Sequence, residues 1–163
     1  MPAALTFAQS KSGHLGSRLV CLGLHPFAEE LPSPRGPVLE LAFDGDALAE
    51  LRHAIALWAT ANGLGAQRTD ELVLAVDELA SNSIRHGGGA GTLRWWREDE
   101  TLLCEARDAG WLRSPLVGCA RPGTDARCSR GLWLVNQLCD LVQIRSAPAG
   151  SAVRVHKRLS ESG

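Results

Sequence analysis

Glu78, Asn82 and Arg85 place a carboxylate, a carboxamide and a guanidinium on one flank of a single helical stretch. At about 100° per residue, Glu78 and Asn82 stand about 40° apart, with Arg85 beside Glu78. The same projection gathers Leu72, Val73, Val76, Leu79, Ala80, Ser83 and Ile84 into one mostly apolar arc. The polar trio therefore borders a face that must pack into a core. Solubility alone would accept any charge at these positions. A carboxamide oxygen ligates hard cations and a guanidinium grips phosphate, so an Asn between a base and an Arg suits a metal–nucleotide site. Asn in mid-helix otherwise has little to recommend it, because it favours caps. His86, followed by three glycines, reads as a C-terminal residue favoured by the helix dipole rather than as a metal ligand.

A second set of candidates brackets a long connector. Asp108 and Gly110 stand at its start, and Ser129, Arg130, Gly131 and Leu132 at its end. Connectors beyond about 12–15 residues inside a compact domain are usually functional or disordered. Asp108 offers an acceptor for an exocyclic amine, while Gly110 and Gly131 let backbone approach a ligand with no Cβ in the way. The start of the helix that follows offers free N–H groups and a partial positive charge to phosphate oxygens. The connector is rich in arginine (Arg113, Arg121, Arg127, Arg130), and Trp111 and Trp133 border it. No GxxxxGK[ST] run exists, so a P-loop is excluded.

The elements that must hold these residues follow from periodicity and punctuation. Leu39, Leu41 and Phe43 alternate as a strand. Asp44 or Asp46 can cap a helix to about Asn62, with Leu48, Leu51, Ile55, Trp58 and Ala59 as its stripe. The helix carrying the trio runs from about Asp70 to His86. Strands are expected near Thr92–Arg97 and Thr101–Arg107, then a helix from Gly131 to Leu138, then strands near Leu141–Ser146 and Ala152–Leu159. Trp95 and Trp96 put one indole on each face of their strand, so one belongs to the core and the other faces solvent or a partner. This order predicts an α+β two-layer sandwich, a mostly antiparallel mixed β-sheet with helices on one face. Residues 1–36, closed by Leu31-Pro-Ser-Pro-Arg-Gly-Pro37, read as a flexible Pro/Gly-rich extension, with a short strand near Arg18–Leu24. Residues 37–159 are expected to form the domain and 160–163 a disordered tail.

Composition narrows the class. A chain of 163 residues fits one domain with a sizeable core. A net charge of −1 gives no electrostatic case for nucleic acid or an anionic membrane. No apolar run reaches the roughly 18 residues of a transmembrane helix, and residues 1–13 lack the basic-then-apolar layout of a secretion signal. The five cysteines contain no CxxC pair, which argues for reduced thiols and a cytoplasmic setting.

Taken together, Glu78, Asn82, Arg85 and His86, then Asp108-x-Gly110, then Arg130-Gly131-Leu132 resemble the GHKL (Bergerat-fold) ATP-binding family, nearest its branch of anti-sigma-factor serine kinases. The resemblance covers about residues 37–159. It implies ATP and Mg²⁺ as cofactors, with Asn82 ligating the metal and Glu78 acting as general base toward a protein serine. It also implies that Asp108 holds the adenine amine, that Gly110, Ser129 and Leu132 belong to the nucleotide site, and that Arg85, Arg130 and the Gly131 backbone face phosphates. The implied partners are a sigma factor and an anti-anti-sigma (STAS-type) antagonist, with a possible homodimer. Three positions depart from the family pattern: Leu112 and Ser129 stand where it prefers glycine, and Ala152 stands nearest the Thr of its last strand, with Ser151 beside it. The alternative reading is a degenerate GHKL-fold binding module with weak or no ATP binding and no kinase activity.

Overall fold

The computed structural model describes residues 5–10, 18–20, 30–110 and 127–160. Strand β1 (Leu5–Ser10), β2 (Arg18–Val20) and β3 (Leu39–Asp44) lead into helix α1 (Leu48–Ala61) and helix α2 (Ala66–His86). Then come β4 (Ala90–Glu98), β5 (Thr101–Asp108), α3 (Arg127–Leu138), β6 (Leu141–Ala147) and β7 (Gly150–Arg158). The strands form one sheet in the order β2-β1-β6-β7-β5-β4-β3, and every pairing is antiparallel. The α+β sandwich expected from the sequence is the architecture found. Part of the expected extension takes part in it, because β1 and β2 continue the sheet beyond the β6 edge.

The turn between α1 and α2 shows why the chain reverses where it does. Gly63 adopts a left-handed φ of 87°, which a Cβ would oppose. That lets the Leu64 amide reach back to Ala59 O (3.1 Å) and the Gly63 amide to Thr60 O (3.0 Å), a Schellman closure. Leu64 and Ala59 are both buried, supplying the apolar contact that usually accompanies it. Helix α2 then begins at Ala66, four residues before the expected Asp70. Its N-cap, Gly65, makes no side-chain hydrogen bond, so the sequence carried no capping signal. Helix α1 likewise starts after Ala47 rather than on a side-chain cap, and Asp44 Oδ1 accepts the Asp46 amide instead.

Leu51, Ile55 and Ala59 of α1, with Leu72, Val76, Leu79 and Ala80 of α2, close over Leu93, Trp95, Cys104, Ala106, Val142 and Val155 of the sheet. The buried stripes match the arcs read from the sequence. Lys157 enters this face of the sheet as a buried ammonium, paired with Glu71 and donating to the carbonyl of Leu138 at the end of α3. That donation satisfies a terminal helix carbonyl.

The other face differs from expectation. Trp96, on the side away from the helices, is only 1% exposed. Its ring lies under the guanidinium of Arg154 at 4.9 Å, and its Nε1 donates to Glu98 Oε1 at 2.9 Å. The segment from Glu30 to Pro37 straps across this region. Arg154 donates to Pro32 O at 2.6 Å, and the Arg35 amide donates to Glu98 Oε1 at 2.9 Å. An indole expected to face solvent or a partner is therefore covered by the protein's own chain. Beneath the strap, fully buried Glu105 receives Nε–H from Arg107 (2.6 Å) and Arg154 (2.7 Å), with Arg94 3.5 Å away. A buried carboxylate tolerates its desolvation only with such company.

Candidate functional site

The site forms where the C-terminal half of α2, the end of β5, the start of β7 and α3 converge. Asp108 is its most heavily engaged side chain. Its Oδ2 accepts the Ser83 hydroxyl at 2.6 Å, and its Oδ1 accepts the Ser151 hydroxyl at 3.0 Å and the Gly110 amide at 2.8 Å. Three donors fix the carboxylate's orientation. A Cβ on Gly87 would come within 2.6 Å of Ser83 O, and one on Gly110 within 2.8 Å of His86 O. The tight packing around Asp108 thus needs glycine at both places.

Asn82 behaves in the opposite way. Both carboxamide atoms, Oδ1 and Nδ2, are buried and have no hydrogen-bond partner among the described residues. Leaving such a group unpaired costs about 1–3 kcal/mol, so an orphaned carboxamide facing a cavity marks a place for a polar ligand. Helix α3 approaches this flank through Gly131. A Cβ there would stand 2.8 Å from Glu78 Oε2 and 3.2 Å from Asn82 Nδ2. The missing side chain lets the two helices bring Glu78 and Asn82 up to the α3 backbone.

Two cavities meet at this contact. The first is a cleft of about 480 Å³, part of it open to solvent, with Leu79, Ala106, Leu132 and Val153 as apolar walls and Asn82, Asp108 and Ser151 among its polar groups. An apolar slot with a few converging polar groups suits a flat heterocycle. The second, of about 570 Å³, is lined by Glu78, Arg85, Arg130, Gly131 and Leu134. The trio read as one patch is thus divided: Asn82 faces the first cavity, Glu78 and Arg85 the second.

The expected residues fall as follows. Asn82, Asp108, Gly110 and Leu132 line the first cavity, and Glu78, Arg85, Arg130 and Gly131 the second. Ser129 lies in α3, but its side chain is outside the described residues, as are Trp111, Leu112, Arg113 and Arg121. Helix α3 begins at Arg127, four residues before the expected Gly131. Gly131 is therefore inside the helix, and the amides free of intrahelical partners belong to the turn before it.

Two functional positions escaped the sequence reading. Ser83 was counted within the apolar arc, although a hydroxyl on a buried face must find a partner and so carried a signal. Ser151 needed the strand register. Asp108 pairs with Ser151 and Arg107 with Ala152, so Ala152 lies on the far side of the sheet and Ser151 supplies the hydroxyl beside Asp108.

A nucleotide with Mg²⁺ fits this arrangement. Among the described residues no group of three or more His, Cys, Asp or Glu side chains could hold a metal ion. The orphaned carboxamide of Asn82 matches a cation whose other ligands come with the nucleotide. Among the described helices none is long and apolar enough to cross a membrane.

Comparison with known proteins agrees with this geometry. The family model described as histidine kinase-like ATPase domain matches residues 41–157. Among solved structures, the chain is similar to the RsbU and RsbW domains of Rv1364c from Mycobacterium tuberculosis, with a TM-score of 0.56 at 15% identity. The match covers 76% of this chain and 32% of that one, so this chain spans about a third of its length. No curated protein matches the chain.

Proposed function

The chain belongs to the histidine kinase-like ATPase family, and from that premise we propose that it is an ATP-binding anti-sigma factor and serine-protein kinase. In this reading it sequesters a sigma factor and phosphorylates an anti-anti-sigma antagonist. The observation that carries the nucleotide half is Asn82, a buried carboxamide with no partner among the described residues, on the wall of a cavity that also holds Asp108. The partner class rests on the resemblance carried by the Glu78, Asn82, Arg85 motif.

In this reading Asn82 would hold Mg²⁺ through its carbonyl oxygen. Asp108, oriented by Ser83, Ser151 and the Gly110 amide, accepts a hydrogen bond from the adenine amine. Leu79, Leu132 and Val153 exclude water from the ring's faces. Bound Mg²⁺·ATP supplies the phosphoryl group and the cation that neutralises charge as it transfers. Glu78 lies in the second cavity, with Arg85 and Arg130 on its walls. That cavity gives the acceptor serine a way in, Glu78 a hydroxyl proton to accept, and the two arginines phosphate oxygens to hold. ADP and a phosphoserine result.

A non-catalytic binding module is the second reading. Part of its support was Ala152 in place of a Thr, and that support weakens because Ser151, not Ala152, pairs with Asp108. Calorimetry with Mg²⁺·ATP separates the two readings. Saturable binding that Asp108→Asn weakens is expected, whereas no heat at millimolar nucleotide would favour the module. For transfer, Glu78→Gln should keep nucleotide affinity and lose phosphorylation of the cognate antagonist. Full transfer by that variant would remove Glu78 from the role of base.

A further inference from the structure

The helix-free face carries a third cleft, on the opposite side of the sheet from Asn82. It lies between the Glu30–Pro37 strap and the β6–β7 hairpin, and spans about 780 Å³, much of it open to solvent. By register Ala152 pairs with Arg145 on one side and Arg107 on the other. The two arginines thus flank a methyl-sized floor from strands about 10 Å apart.

Neither guanidinium is fully used. Arg145 Nε is buried with no partner among the described residues, and its Nη1 reaches Glu30 Oε1 at 3.1 Å. Glu30 is 81% exposed, so this is a pair that solvent and salt weaken easily. Arg107 commits Nε to Glu105, and among the described residues its terminal nitrogens are left for a ligand. Arg94, Arg107, Arg145 and Arg154 share this face with Glu40, Glu98, Glu105 and Glu30. Once Glu30 swings away, these arginines outnumber the carboxylates of the face by one, and Arg145 has lost its ion-pair partner.

We propose that this cleft binds a free compact dianion of the phosphate class between Arg107 and Arg145, with Glu30 as its internal competitor. Guanidinium groups match the oxygens of such an anion bidentately. Ala152 is what leaves room for it, because a larger residue would fill the floor. The inference does not rest on the kinase reading, since the residues involved are separate from the nucleotide cavities apart from the shared wall at Asp108 and Ser151.

The test is a titration of the full chain with inorganic phosphate, reading the ¹⁵N–¹H signals of the arginine Nε groups at constant ionic strength. The Arg145 signal should shift saturably. Arg145→Gln should weaken affinity, read from Arg107, by about tenfold. Glu30→Gln should strengthen it several-fold, a sign that a merely structural Glu30 would not give. Arg85→Gln, at the nucleotide cavity, should leave the titration unchanged. A shift that does not saturate, an equal shift with chloride, or unchanged or weaker binding in Glu30→Gln would overturn the proposal.

Discussion

Asn82→Leu should make the ligand-free protein more stable while ending its response to nucleotide. The side chains are of similar size, so the substitution removes two unpartnered polar atoms without opening a cavity. An unsatisfied buried group costs about 1–3 kcal/mol, and Leu exceeds Asn in helix propensity by up to about 0.5 kcal/mol. The expected gain is about 2 kcal/mol, which for a domain of this size raises Tm by about 4–8 °C. The parent protein gains about 2.7 kcal/mol from nucleotide at about 100 times Kd, and the variant gains nothing. The order of stability should therefore reverse on adding Mg²⁺·ATP. Thermal melts and urea titrations with and without nucleotide measure both halves. A variant less stable than its parent without ligand would refute the orphaned carboxamide. A variant still stabilised by Mg²⁺·ATP would refute its place in the binding site.

Three further outcomes follow from the geometry. Ser151→Ala removes a hydroxyl from Asp108 and should weaken Mg²⁺·ATP by about tenfold, whereas Ala152→Thr, on the other side of the sheet, should leave affinity unchanged; calorimetry on both variants decides. Lys157→Met strands Glu71 and the Leu138 carbonyl and should cost about 3 kcal/mol in urea unfolding; a loss below 1 kcal/mol would mean that the carboxylate rehydrates freely. Burial, helped by Arg154 and opposed by Glu98 and Asp140, lowers the pKa of His156 from 6.5 to about 4. The unfolded chain then binds a proton that the folded chain refuses, so stability is complete above pH 6.5 and falls as pH drops toward 4. His156→Gln should flatten that slope, and an unchanged slope would place its origin elsewhere.

Much of the fold was legible because its signals are local. The stripes of α1 and α2 repeat at helical spacing, and Asn62-Gly63 announces a C-terminal stop that the structure uses as a Schellman closure. Helix starts were misplaced by four residues for α2 and α3. The α2 start carries no side-chain capping signature, because Gly65 caps it with backbone alone. Trp96 was misjudged because the alternation of a strand says which residues share a face, not what will lie over it. The cover came from the Glu30–Pro37 strap, more than fifty residues earlier in the chain.

The sequence by itself determined the polar flank of α2, the Asp108–Gly110 turn and the glycine at 131, because each follows from residue type at fixed spacing along one element. Only the tertiary structure decided how these parts face one another. Antiparallel register set Ser151 rather than Ala152 against Asp108, since a shift of one residue moves every side chain to the opposite face. The approach of α3 through Gly131 divided one apparent patch into two cavities, leaving Asn82 facing one and Glu78 the other. Such contacts join residues distant in sequence, where neither spacing nor propensity carries information. They are fixed only when the core closes and each buried polar group finds, or conspicuously lacks, its partner.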